Sequence, residues 1–308
     1  MKPLITTGAF ITDCGGKQDK NAPGRLETRT QQLVGAPITV IPLEVETSQL
    51  ERGSEQAVLE LIDQIDASRL PWERSIHDQT LIMVNSATRG ETPLHRPNGS
   101  PFCWWRPDEN TLVVSTLDGP VLPRVNSLGL IPDGIVHELD VPEVMAHAVK
   151  RGWIREHEAE RIINSQFRSF DFQPLVAYWL LKEWPVPSRL HPVPAHEAGD
   201  VTVFTEDSFG NLKLNVTPEE FGYEEGLEAT LADDTTAICV RSLKDVPQGT
   251  PEQPILAITV GSSGLRNPQT GIDTRFLELV AMKDSAHKIT GFKRGDTAIL
   301  AKHIPANR

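Results

Sequence analysis

The stretch Trp184-Pro185-Val186-Pro187-Ser188-Arg189-Leu190-His191-Pro192-Val193-Pro194 constrains the fold more than any other part of this chain. Four prolines in eleven residues remove backbone donors and fix φ, so the segment continues neither a helix nor a central strand. It separates two parts of different character. Before it, apolar runs alternate with stretches of helical period; after it come short strand-like runs and turns. The expected organisation is an α/β domain over residues 1–184, with a mixed sheet flanked by helices, and a Pro-rich linker over 185–199. A small antiparallel β-barrel or sandwich over 200–308 completes it.

In the first part, Ile5 to Thr12 reads as a buried strand that ends in Asp13-Cys14-Gly15-Gly16. In an open α/β sheet that is the end where ligands bind. Lys17 to Arg29 is polar and contains Pro23-Gly24, which predicts a loop. Ile38 to Leu43 predicts a second strand, and Leu50, Ala57, Val58, Leu61, Ile62 and Ile65 recur at helical spacing. Thr80 to Asn85 predicts a third strand, running into Ser86-Ala87-Thr88-Arg89-Gly90. Strands around 102–105 and 111–115 follow, then helices over 141–149, 156–163 and 173–183.

Charge narrows the partners. Thirty basic against 42 acidic residues give a net charge of −12, with no cluster of Lys or Arg to contact nucleic-acid phosphates or an anionic membrane. No apolar run approaches the ~20 residues of a membrane span, and Met1 to Thr7 has no signal-peptide core. Cys14, Cys103 and Cys239 form neither a disulfide framework nor a zinc spacing, which predicts a reducing, cytoplasmic setting. His137, His147 and His157 likewise lack metal-ligand spacing, so no metal is expected.

The most informative stretch after the linker is Val203 to Val216, two strand-like runs around Asp207-Ser208-Phe209-Gly210-Asn211. One reading is an ordinary hairpin in which Asp207 and Asn211 serve the turn. The other comes from similarity: Asp-x-Phe-Gly-Asn-Leu-x-x-Asn, here Asp207 to Asn215, resembles the signature of the family of fluorinases, chlorinases and S-adenosylmethionine (SAM) hydrolases. The opening Thr12-Asp13-Cys14-Gly15 with Asp19 is similar to that family's Thr-Asp-Phe-Gly segment and its second acidic residue. Ser262-Ser263-Gly264, Phe276 to Leu279, Lys283 to Ala286 and Lys293 to Asp296 resemble its closing strands, with an insertion between Gly264 and Phe276.

The resemblance implies an enzyme that displaces methionine from C5′ of SAM, its substrate, with water or a halide. It also implies a homotrimer, with each nucleoside pocket shared between the first domain of one subunit and the second domain of its neighbour. Asp13 would hold the ribose hydroxyls, and Asn211 would read the adenine edge within the Asp207-to-Asn211 signature that includes Phe209. Asp207 and Asp19 would face the methionine ammonium, and Ser262 or Ser263 its carboxylate. Each has a plainer reading: Asp13 as a helix cap, Asn211 as a left-handed turn residue, the serines as loop formers.

The family's water-activating Asp, Arg and His are not visible. Their places read Asn85, Thr92 with Arg89 nearby, and Phe167. Asparagine takes no proton. Thr88 and Ser169 stand where the halogenating branch places its hydroxyls, so Thr88, Ser169, Asn85 and Arg89 are the expected reaction-centre residues. Two further readings stay open: a nucleoside-binding protein on the same fold without catalysis, and an enzyme acting on a different nucleoside or small metabolite.

Overall fold

The structure, a computed structural model, describes residues 5, 7–14, 21–43, 50–69, 79–86, 100–197, 199–250, 253–266 and 273–303. The chain divides into two compact units, Met1–His196 and Glu197–Arg308. No helix among the described residues is long and apolar enough to cross a membrane.

The first unit runs β1 (Thr7–Thr12), α1 (Asn21–Val34), β2 (Ile38–Pro42), α2 (Leu50–Arg69), β3 (Thr80–Asn85), β4 (Phe102–Asp108) and β5 (Thr111–Thr116). It continues through α3 (Val121–Ser127), β6 (Ile135–Leu139), α4 (Val141–Lys150), α5 (Glu156–Ile163), α6 (Arg168–Asp171), α7 (Gln173–Leu181) and β7 (Arg189–Pro192). These strands form one sheet in the order β2-β1-β3-β5-β4-β6-β7. The first four are parallel and the rest antiparallel, so the sheet is mixed. Every residue of β3 and β5 is buried, as for central strands covered on both faces. Leu81 and Met83 pack with Val176 and Trp179 of α7. Ile82 and Val84 alternate to the other face, and α2 packs against β1 and β3. Helix α7 is buried nearly all round, which is why its sequence lacks a polar stripe.

Two expectations need correction here. The region from Asn21 is helix α1, not loop: Pro23 sits in the first turn, where a missing N–H costs nothing. Ala22, Leu26, Thr30 and Val34, four apart, supply its buried face. The Pro-rich stretch is not only a linker either. Arg189–Pro192 pairs antiparallel with β6, with Pro192 opposite Ile135. It lies at the sheet's edge, where a residue without an N–H is tolerated.

The second unit contains β8 (Val201–Glu206), β9 (Leu212–Leu214), α8 (Pro218–Phe221), β10 (Glu228–Leu231), β11 (Thr236–Cys239), β12 (Leu256–Arg266), β13 (Asp273–Ala281), α9 (Ala286–Thr290) and β14 (Thr297–His303). Its strands close into a barrel in the order β10-β11-β12-β13-β9-β8-β14. Leu212, Leu214, Leu231, Ile258, Leu277 and Leu279 fill the interior. The barrel is not wholly antiparallel, because β11 and β12 run parallel. A parallel pair needs a crossover rather than a hairpin, and the chain between Cys239 and Leu256 provides one. Strand β12 shifts register between Val260 and Gly264, which places Ser262 and Ser263 in a bulge.

Candidate functional site

Strands β1 and β3 pair in parallel with Thr12 opposite Asn85, so both run out at the same edge of the sheet. The Asp13 N–H closes the ladder onto the Asn85 carbonyl at 2.9 Å. Beyond it the side chains converge. Asn85 Nδ2 donates to Asp13 Oδ1 at 2.9 Å and lies 3.3 Å from Cys14 Sγ and 3.4 Å from Thr12 Oγ1. Ser169 Oγ, on the buried face of α6, lies 3.9 Å from the same sulfur. The fold thus brings Asp13, Asn85 and Ser169 together from three distant segments. Thr88, Arg89 and Asp19 fall outside the described residues.

Cys14, at the centre of this group, was not singled out as a site residue in the sequence. Its signal was its place between Asp13 and Gly15, where the resembled family carries a phenylalanine. Burial, reinforced by the charge of Asp13, pushes its thiol above the usual range. It therefore stays an S–H at neutral pH, 3.6 Å from Asp13 Oδ1, rather than a nucleophilic thiolate. Phe167 stacks on Phe170 with ring centroids 5.5 Å apart, and the Arg25 guanidinium lies over both rings. That position offers apolar surface and no base. Asp171 is occupied, accepting from Arg161 at 2.7 Å and Ser165 at 2.5 Å.

In the barrel, the turn after β8 is built by its own side chains. Asp207 Oδ1 accepts from the N–H groups of Phe209 at 2.8 Å and Asn211 at 3.0 Å, and Oδ2 from Asn211 Nδ2 at 2.9 Å. These are the bonds of the plain hairpin reading. They leave Asn211 one side-chain N–H and its carbonyl oxygen for a ligand. Phe209 stands 79% exposed at the tip. Gly210 has φ +81, and a Cβ there would come 2.6 Å from Ser285 Cβ, so the turn closes only with glycine. Ser262 is exposed and accepts from Lys213 Nζ at 3.3 Å, while Ser263 is buried. Lys213 pairs with Glu278 at 2.6 Å, and Glu278 also accepts from the Ser262 N–H.

A cleft of about 720 Å³ lies at the other edge of the sheet, lined by Gln79, Trp104, Arg106, Leu180, Glu183 and Trp184 among others. Gln79 precedes the first residue of β3, whereas Asn85 ends it, so this cleft and the Asp13 group lie at opposite strand ends. Among the described residues, no group of three or more His, Cys, Asp or Glu is placed to hold a metal ion.

A mixed α/β sheet unit followed by a closed mixed barrel defines the class of protein. No protein-family model matches the sequence, and no curated protein does. In fold the chain is similar to an uncharacterised conserved protein from Thermotoga maritima, known from a crystal structure. The TM-score is 0.61 at 17% identity, covering 94% of this chain and 97% of that one. At that identity the likeness is one of fold.

Proposed function

We propose that the protein is a SAM-binding 5′-adenosyl transferase that displaces methionine at C5′ with water or a small anion such as a halide. The observation that carries this reading is the meeting of Asp13, Asn85 and Ser169 at the carboxyl ends of β1 and β3. Asp13 and Ser169 match the family's pattern, Asn85 departs from it, and the three lie where parallel sheets bind ligands. Asp13 offers acceptor oxygens to a ribose diol, Asn85 orients that carboxylate, and Ser169 supplies a hydroxyl at the reacting end. A sulfonium leaves as neutral methionine, so alignment of nucleophile, C5′ and sulfur carries much of the rate, up to ~7–11 kcal/mol. From the resemblance the reading also takes a homotrimer, with Asp207, Asn211, Phe209, Ser262 and Ser263 supplied by a neighbouring chain, and from the cysteine pattern a cytoplasmic setting. SAM is substrate, and no metal takes part.

A nucleoside-binding protein without turnover is the second reading. It is favoured by Asn85 and Phe167, which leave no general base among the described residues around Asp13. Isothermal titration with SAM, adenosine and 5′-halo-adenosines separates the two, followed by product analysis with and without chloride. Adenosine or 5′-chloro-adenosine formed from SAM supports the transferase. Tight adenosine binding with SAM left intact supports the second reading, and no nucleoside binding defeats both.

A further inference from the structure

Gln173 opens α7 and is fully buried. Its Nε2 donates to two backbone carbonyls, Val84 O at 3.0 Å and Val114 O at 2.9 Å. Only the NH2 end of an amide can face two acceptors, so this pair fixes which end is oxygen. Oε1 is the other end, buried, with no donor among the described residues. Burying a carbonyl oxygen without a donor is unfavourable, and folded proteins answer it with an ordered water or a ligand.

Its place in the fold gives this oxygen meaning. Val84 immediately precedes Asn85, and Val114 sits opposite Met83 on the adjoining strand, so the amide lies just behind the carboxyl ends of β3 and β5. Ser169 comes four residues earlier. Backbone bonds from Phe172 N–H to Arg168 O and from Val176 N–H to Phe172 O carry the helical path across the junction of α6 and α7. Residues four apart on such a path share a face. Asn85, Ser169 and Gln173 therefore border the same end of the sheet.

We propose that Gln173 Oε1 makes the floor of this site a seat for a small protic molecule, water, and sets it against a halide ion. Its catalytic meaning rests on the adenosyl-transfer reading. Water gives one O–H to Oε1 and keeps a lone pair for C5′. A halide has no hydrogen to give and meets the negative end of the carbonyl dipole. In the step that follows, the oxygen lone pair forms the C5′–O bond as the C5′–S bond breaks. The C–S electron pair leaves with neutral methionine, and the oxonium proton passes to solvent. Gln173 takes no proton and acts as a positioning residue.

Crystals of the whole chain soaked in sodium bromide and measured at the bromine edge test the seat without any substitution. An ordered water about 2.8 Å from Oε1, with no bromide there, is the expected result. Bromide against Oε1, a protein donor bonded to it, or an empty site would overturn the proposal. In solution, SAM turnover is followed across a chloride titration for the wild type and for Gln173→Met. The wild type should yield adenosine alone, and the variant should form adenosine at least ~10-fold more slowly at unchanged KM for SAM. A 5′-chloro product from the wild type, or an unchanged rate in a folded Gln173→Met variant, counts against it. Should the wild type leave SAM untouched while water occupies the seat and bromide does not, the adenosyl-transfer reading falls and the water seat stands. If Gln173→Met fails to fold, having lost two carbonyl partners, the soak still decides.

Discussion

The side-chain amide of Asn85 donates to the Asp13 carboxylate at 2.9 Å, across the last rung of the β1–β3 pair. The bond gives Asn85 a purpose that proton transfer would not: it holds a charged carboxylate in one orientation. Substitution Asn85→Asp would replace this donor with a second carboxylate. Two carboxylates at that distance share a proton, so the introduced group's folded pKa rises above its unfolded value of about 3.9. A raised carboxyl pKa means that native stability is kept below the unfolded pKa and lost as pH rises. Thermal melts of Asn85→Asp should therefore match the wild type near pH 4 and fall behind by about 1–3 kcal/mol at pH 8. A constant difference across that range would remove the bond from the account.

Asp13→Ala tests the ribose role directly. Loss of a charged acceptor should weaken adenosine binding by ~10–100-fold in isothermal titration, with a far smaller change in melting temperature. Equal affinity in a folded variant would reduce Asp13 to a structural residue.

The three described thiols give an alkaline prediction. Burial raises Cys14, with Asp13 adding to it, raises Cys103, and pushes Cys239 up to about 11. A raised thiol pKa favours the folded state fully below the unfolded value of ~8.5, and that advantage drains away as pH climbs. Denaturant midpoints should hold to about pH 8 and decline between there and pH 11. Native alkylation by iodoacetamide at pH 7.5 should be slow at all three, with SAM or adenosine slowing Cys14 further.

In the barrel, Lys213 and Glu278 form an ion pair whose side chains are only 13% and 9% exposed. Lys213→Met leaves the carboxylate buried without its cation and should cost about 3–5 kcal/mol in urea unfolding. Adding Glu278→Leu to that variant should recover much of the loss. If the double variant is no better than the single, the carboxylate was not stranded.

Gly210→Ala puts a methyl against Ser285 at φ +81 and should destabilise the second unit by about 2 kcal/mol. Asp207→Ala removes the acceptor of three bonds in the same turn and should cost a similar amount. Both are read by urea melts. A loss of nucleoside affinity in Asp207→Ala beyond that explained by unfolding would give the carboxylate a ligand role as well.

Much of the fold was legible because its strands are strongly marked. The all-apolar run Leu81 to Val84, ending in polar residues, reads as a covered strand, and the alternation after Asn211 as a strand of a barrel or sandwich. The site was legible in part. Asp13, Asn85 and Ser169 stood out by the segments they occupy; Cys14 offered only its departure from the resembled family's phenylalanine, and Gln173 no pattern at all, because the surroundings of both come from elsewhere in the chain. Helix α1 was missed because Pro23-Gly24 reads as a turn until a buried face is known to exist for it.

The sequence by itself determined two units, most of the strands that make them, and the turn that Gly210 and Asp207 close. All of these depend on neighbours a few residues apart, through backbone sterics and local hydrogen bonds. Tertiary structure alone decided that Arg189–Pro192 becomes an edge strand, that β11 and β12 pair in parallel, and that Gln173 buries an oxygen behind Asn85 with no donor among the described residues. Those outcomes depend on which distant strand offers an unpaired edge and which carbonyls an amide can reach, and no local rule contains that information.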